Sequence, residues 1–178
     1  MGLGGILFNP NGRINASEFW RGLIVLIAAS IVLNVASVYG PIALSLILGL
    51  VSLLFIYPYI CLFGKRLHDA NRSAWWFLAF LAGAIIASFI GGFLMQSVIP
   101  GQAEFTEEIE ELSQSGDFNA VLELTREQSR SLMIPSIISS TVISLIIGWF
   151  AARLPSEPGP NQYGPPTDGS ALADDTFS

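Results

Sequence analysis

The sequence predicts an all-α polytopic membrane protein, a bundle of four transmembrane helices with a short amphipathic helical segment on one side. Three observations predict it. Four stretches free of charge are long enough to cross a hydrocarbon layer. Apolar residues make up 52 % of the 178-residue chain against 12 % charged, with a mean hydropathy of +0.58, where a soluble domain carries about 25 % charged residues. The cations are also divided unequally between the two sides that four spans define. This composition excludes a soluble enzyme and a disordered chain. A net charge of −6 with eight Lys and Arg offers no field to attract nucleic acid. One cysteine (Cys61) and one histidine (His68) can supply neither an intrachain disulfide nor a zinc site, and no cofactor is expected.

A hydrocarbon core of about 30 Å needs roughly 20 helical residues. The first span is placed at about 19–38, with Arg21 snorkelling at its start. The second covers 41–63, the third 74–99, and the fourth 132–152. Lipid offers no partner for a free N–H or C=O, so each span must be helical. Only Tyr39 and Gly40 separate the first two spans, which makes them a tight antiparallel hairpin. Pro58 is expected to bend the end of the second span. Pro135 falls in the first turn of the fourth, where a missing N–H costs little.

Residues 1–18 form an N-terminal segment in which Ser17 can cap the first span and Glu18 complements its dipole. Residues 100–131 carry eight acids and read as two amphipathic helices. Phe105, Ile109 and Leu112 lie on the first, with Thr106 as its cap. After a break at Gly116, Asp117 caps a second that carries Phe118, Val121 and Leu122. Residues 155–178, rich in Pro and Gly, are expected to be largely disordered beyond about the first dozen. No cleavable signal is expected, because the first apolar stretch is long enough to span.

Four spans place both ends of the chain and the 64–73 loop on one side. That side holds Arg13, Arg21, Lys65, Arg66, Arg72 and Arg153, against Arg126 and Arg130 on the other. The positive-inside rule then puts the termini in the cytoplasm and the acidic insert in the periplasm of a bacterial inner membrane.

Within lipid, helices associate through small residues and a few polar contacts. Gly83, Ala87 and Gly91 supply one such stripe, Ser136, Ser140 and Ser144 another, and Asn34 is expected to bond a neighbouring helix. The same stripes admit two other readings, an oligomer face and a polar path. No Asp, Glu, Lys, Arg or His lies inside a span, which disfavours transport by a monomer.

The chemistry-bearing residues gather at the predicted cytoplasmic face, in three segments. The first runs Gly12-Arg13 to Glu18-Phe19-Trp20. The second is Arg66-Leu67-His68-Asp69 with Arg72-Ser73-Ala74-Trp75-Trp76. The third is Gly159-Pro160-Asn161-Gln162-Tyr163-Gly164. Together these segments resemble the domain-of-unknown-function family 805, small bacterial inner-membrane proteins. The resemblance covers residues 8 to about 99 and 150 to 166, and the Arg-Leu-His-Asp loop is its most specific part. It implies location and topology but no reaction.

His68-Asp69 lacks the companions of a catalytic pair: there is no nucleophile elbow, phosphate loop or metal-ligand cluster. No enzymatic activity is expected. Asp69 can cap the next turn or pair with Arg66 or Arg72, and His68 can donate to a loop carbonyl or to the Asn161–Tyr163 ending. The expected role of the cluster (Arg13, Glu18, Trp20, Arg66, His68, Asp69, Arg72, Trp75, Trp76, Asn161 and Tyr163) is to tie both hairpins to the C-terminal segment and to contact anionic phospholipid or a membrane partner. The alternative reading is a small-solute transporter or channel subunit that acts as a homo-oligomer.

Overall fold

The computed structural model describes residues 1–98 and 101–167, with side chains for all of these but 95–98. Its helices are α1 (Leu3–Phe8), α2 (Ala16–Tyr39), α3 (Ile42–Leu54), α4 (Ile56–Asp69), α5 (Phe77–Val98), α6 (Gln102–Ser115), α7 (Phe118–Ser131) and α8 (Met133–Ala152), with a 3-10 turn at Ala74–Trp76. Four helical stretches are long and apolar enough to cross a membrane: Ala16–Tyr39, Ile42–Asp69, Ala74–Leu94 and Met133–Ala152. Their outer faces carry Val32, Leu46, Leu50, Phe89 and Ile134, each more than 60 % exposed. So continuous an apolar surface calls for lipid as its solvent. The fold is the four-span all-α bundle that the sequence predicts.

The second span is broken into two helices, where one helix bent near its end was expected. It breaks at Phe55 and continues to Asp69. Pro58 explains the position: its ring and missing N–H fall on the carbonyl of Leu54, four residues back, so α3 ends there. Phe55 N–H turns to Ser52 O at 3.2 Å instead. Lys65, Arg66 and His68, expected in a loop, therefore ride on the last turns of α4. Their cationic side chains suit the negative end of the helix dipole.

Two caps also differ from expectation. Asn15 rather than Ser17 caps α2, its side chain accepting from Glu18 N at 2.9 Å. Helix α6 starts at Gln102, so Thr106 lies inside it and donates to Gln102 O at 2.9 Å. Asp117 caps α7 by accepting from Ala120 N at 3.1 Å, and Pro135 is the third residue of α8, both as expected. Helix α7 lies against the α2–α3 turn, where Arg126 donates to Gly40 O.

The packed core is confined to one half of the bundle. Ile6, Ile14, Phe19, Leu23, Leu62, Phe63 and Leu67 are all buried there. Phe63 is its centre, meeting Phe19 edge-on at 5.1 Å and Phe80 at 5.4 Å. Two glycines allow close approach. A Cβ on Gly22 would run into Leu62 of α4 and Ile6 of α1, and one on Gly148 of α8 would run into Leu23 of α2. Of the glycines in the expected α5 stripe, Gly91 packs on α8, where a Cβ would stand 3.2 Å from Ser139 Oγ, whereas Gly83 has open space around it.

Candidate functional site: a buried polar clasp

Beyond the packed core, at the end where α1, α4 and the chain after α8 meet, lies a polar cluster from three distant parts of the sequence. Its centre is Asp69, fully buried at the C-terminus of α4. Arg13 Nε and Nη2 each approach Asp69 Oδ1 at 3.0 Å, and Arg66 Nη1 donates to Oδ2 at 2.6 Å. Thr167 Oγ1 adds a bond to Oδ1 at 2.9 Å. Arg13 is only 4 % exposed and Arg66 2 %. Removing such ions from water costs several kcal/mol each, which holds only if their remaining donors are used.

All of these donors but Arg66 Nε are used, mostly on backbone carbonyls. Arg13 Nη2 donates to Glu157 O at 2.6 Å and Nη1 to Gly159 O at 2.7 Å. Arg66 Nη2 donates to Ala152 O at 3.0 Å and to Leu154 O, so it caps the C-terminal end of α8. Arg66 Nη1 reaches Ser156 Oγ at 3.1 Å. Lys65, also buried, donates to Gly5 O of α1. Two buried guanidiniums thus share one buried carboxylate, Lys65 lies apart on Gly5 O, and the excess positive charge is met by carbonyl dipoles. Glu157 N closes the arrangement with a 2.8 Å bond to Asp69 O.

Local turns aim these groups. Asn71 takes a left-handed φ of 52° after α4, and Arg72 N bonds Leu67 O at 2.8 Å while Asn71 N bonds His68 O at 3.0 Å. This Schellman ending reverses the chain directly behind Asp69. Gly12, at φ 96°, sits in the turn before Arg13, and its carbonyl faces His68 Nδ1 at 3.2 Å. A carbonyl can only accept, so Nδ1 carries the proton. Asn161 and Gly164 exchange backbone bonds at 3.1 and 3.0 Å around a tight turn that presents Tyr163. The Tyr163 ring stacks on His68 with centroids 3.8 Å apart and planes 4° from parallel. Asn161 Nδ2 donates to His68 O at 2.9 Å and to Glu157 Oε2 at 3.0 Å.

The structure therefore gathers Arg13, Arg66, His68, Asp69, Asn161 and Tyr163 into one network. Asp69 pairs with Arg66, one of its two expected partners; its second partner is Arg13, not Arg72. His68 and Asp69 face different groups and make no base–orienter pair. Among the described residues no group of three His, Cys, Asp or Glu side chains gathers to hold a metal ion.

The other expected members stand apart. Glu18 approaches the Met1 amino group at 2.5 Å. Trp20 packs edge-on to Phe19 at 6.2 Å and lies against Gly148. Arg72 is exposed and lies over Trp76 at 5.5 Å, and Trp75 is 78 % exposed. A similar pair, Arg153 over Trp149 at 4.3 Å, was not expected. Sequence reasoning also missed Lys65, Ser156, Glu157 and Thr167. The Pro-rich run after Leu154 was a signal for the docked segment, since fixed φ angles lower the cost of holding it extended. The expected disorder of the tail beyond its first dozen residues falls almost wholly on 168–178, outside the described residues.

The fold and the cluster define an α-helical membrane protein in which the ends of α2, α4 and α8 are tied together by a buried polar clasp. The chain belongs to the family described as a protein of unknown function, DUF805, whose model matches residues 7–165. No curated protein and no solved structure matches the chain.

Proposed function

We propose that this protein is a non-enzymatic module of the bacterial inner membrane, with both termini and the clasp on the cytoplasmic side, and that it contacts anionic phospholipid through cations outside the clasp. The single observation that carries this reading is how the arginines are used. Arg13 and Arg66 are buried and bound to protein carbonyls and Asp69, so no phosphate can reach them without breaking the clasp. Arg72 and Arg153 are exposed, each over a tryptophan, and Arg21 is exposed nearby on α2. Arg beside Trp at the headgroup depth suits forked bonding to a lipid phosphate with the indole in the interface. In this reading the clasp sets the geometry and the outer cations meet the membrane.

Native mass spectrometry of protein extracted with its lipids tests the proposal. Wild type is expected to retain anionic lipid, and a variant combining Arg21→Gln, Arg72→Gln and Arg153→Gln to lose it while keeping its unfolding temperature. Equal retention by the two proteins would overturn the lipid role. A phosphatase fused after Gln114 should be active if the acidic insert is periplasmic; an inactive fusion would reverse the orientation.

A further inference from the structure

The half of the bundle away from the clasp is open. Beyond the break at Phe55, α3 packs on α2 and α4, while α5 packs on α8 and α4. Between these walls lie two adjoining cavities of about 460 and 310 Å³ that share Ser30, Asn34 and Tyr59. A third, apolar cavity of about 220 Å³ adjoins them through Tyr59 and Ser144 and is lined by Phe80, Leu81 and Ile143. Its floor reaches Leu23, Phe63 and Phe77, all buried in the core, so the cleft ends there and is not a path to the clasp.

The polar groups of this cleft carry no charge, and three of its hydroxyl hydrogens are committed. Ser52 Oγ donates to Gly49 O at 2.6 Å, Ser140 Oγ to Ile137 O at 3.1 Å and Ser144 Oγ to Ser140 O at 2.8 Å. What these hydroxyls present to the cleft is lone pairs. Asn34 is different: it is exposed at the junction of the two polar cavities, and among the described residues its amide has no hydrogen-bond partner. An amide left unpaired at membrane depth is costly, so an occupant that bonds it is favoured.

We infer that this cleft is a binding site for a neutral amphiphile that carries a hydroxyl or amide hydrogen, taken from the bilayer. Its polar end meets Asn34 and the serine lone pairs, and its apolar body lies against Phe80, Leu81 and Ile143. The absence of charged lining residues selects against ionised ligands, because nothing there would neutralise a buried charge. The combined size is that of a pocket for a small lipid or drug-sized molecule.

The test uses the full chain in nanodiscs of phosphatidylcholine, with dioctanoylglycerol as the probe and its O-methyl ether as the control that lacks the donor hydrogen. Binding of dioctanoylglycerol is expected. The ether, and the Asn34→Leu variant with the original probe, should each bind about tenfold more weakly, as expected for one lost hydrogen bond in a dry site. Thermal unfolding of Asn34→Leu should match or exceed wild type. Should that variant not fold, Thr141→Val, which removes an α8 hydroxyl lining the 310 Å³ cavity with Asn34, is expected to weaken binding in the same direction, and unchanged binding by it would overturn the inference. The inference is overturned by equal binding of probe and ether, by absence of probe binding to wild type, or by a wild-type dimer that Asn34→Leu converts to monomer. In the last case the cleft would be an interface between copies of this chain.

Discussion

The two halves of this bundle meet the same problem, polar groups at the edge of or within an apolar medium, in opposite ways. At the clasp end three cations and a carboxylate are buried, and all but one of their side-chain donor and acceptor atoms have protein partners, the exception being Arg66 Nε. Large side chains interlock beneath them, and glycines at 22 and 148 let helices touch. In the far half the polar residues lining the cleft are neutral, Asn34 is unpaired, and Gly49 and Gly92 have nothing packed on them, although Gly91 meets Ser139 of α8. Small residues in a membrane helix therefore do not by themselves mean close packing. The same residue types mark close contacts at Gly22, Gly148 and Gly91 and open space at Gly49 and Gly92, and the neighbours decide which.

The sharpest way to break this comparison is to unpair the clasp. Asp69→Asn leaves Arg13 and Arg66 buried without their counter-ion and should cost about 3–5 kcal/mol, read as a large fall in unfolding temperature in nanodiscs. A similar unfolding temperature for the variant would mean that the network contributes little. Next in size is a matched glycine pair. Gly148→Leu must displace Leu23 and should cost about 1–3 kcal/mol, whereas Gly92→Leu in the far half of α5, with open space before it, should leave stability unchanged. Equal losses at the two positions would erase the distinction between the halves. The smallest effect is expected at the stack: Tyr163→Ala should lose about 0.5–1.5 kcal/mol of ring interaction with His68, and Tyr163→Phe, which keeps the ring, should behave as wild type.

The spans were legible because lipid imposes a rule that needs no tertiary information: about 20 uncharged residues make a helix. The acidic insert was legible for a similar reason, since the period of Phe105, Ile109 and Leu112 and the break at Gly116 are local signals. Pro58 was read as a bend, and the full break came from its effect one turn upstream at Leu54. The short helix α1 has only six residues and is held by burial of Ile6 and Leu7, which no periodicity in so short a run can announce. Part of the clasp was visible, as an accumulation of polar residues on one predicted face that includes Arg13, Arg66, His68, Asp69, Asn161 and Tyr163. Its wiring was not. Arg13 and Arg66 spend most of their donors on backbone carbonyls at Glu157, Gly159, Ala152 and Leu154, and a carbonyl has no residue type to read. The choice of Arg13 over Arg72 as partner for Asp69 depends on the Schellman turn at Asn71, which carries Arg72 outward toward Trp76. Asn34 was expected to bond a neighbouring helix, and it stands instead at the junction of the cavities lined by α2, α3 and α8.

The central claim is that Arg13 and Asp69, 56 residues apart in the chain, act as one structural unit. A double-mutant cycle with Arg13→Gln, Asp69→Asn and the double variant, measured by reversible unfolding in nanodiscs or mixed micelles, tests it most directly. The account predicts that each single change destabilises strongly and that the double variant loses less than the sum, with a coupling energy of about 1–3 kcal/mol. Small, strictly additive losses would contradict it, and would mean that these buried charges sit beside one another without holding the bundle together.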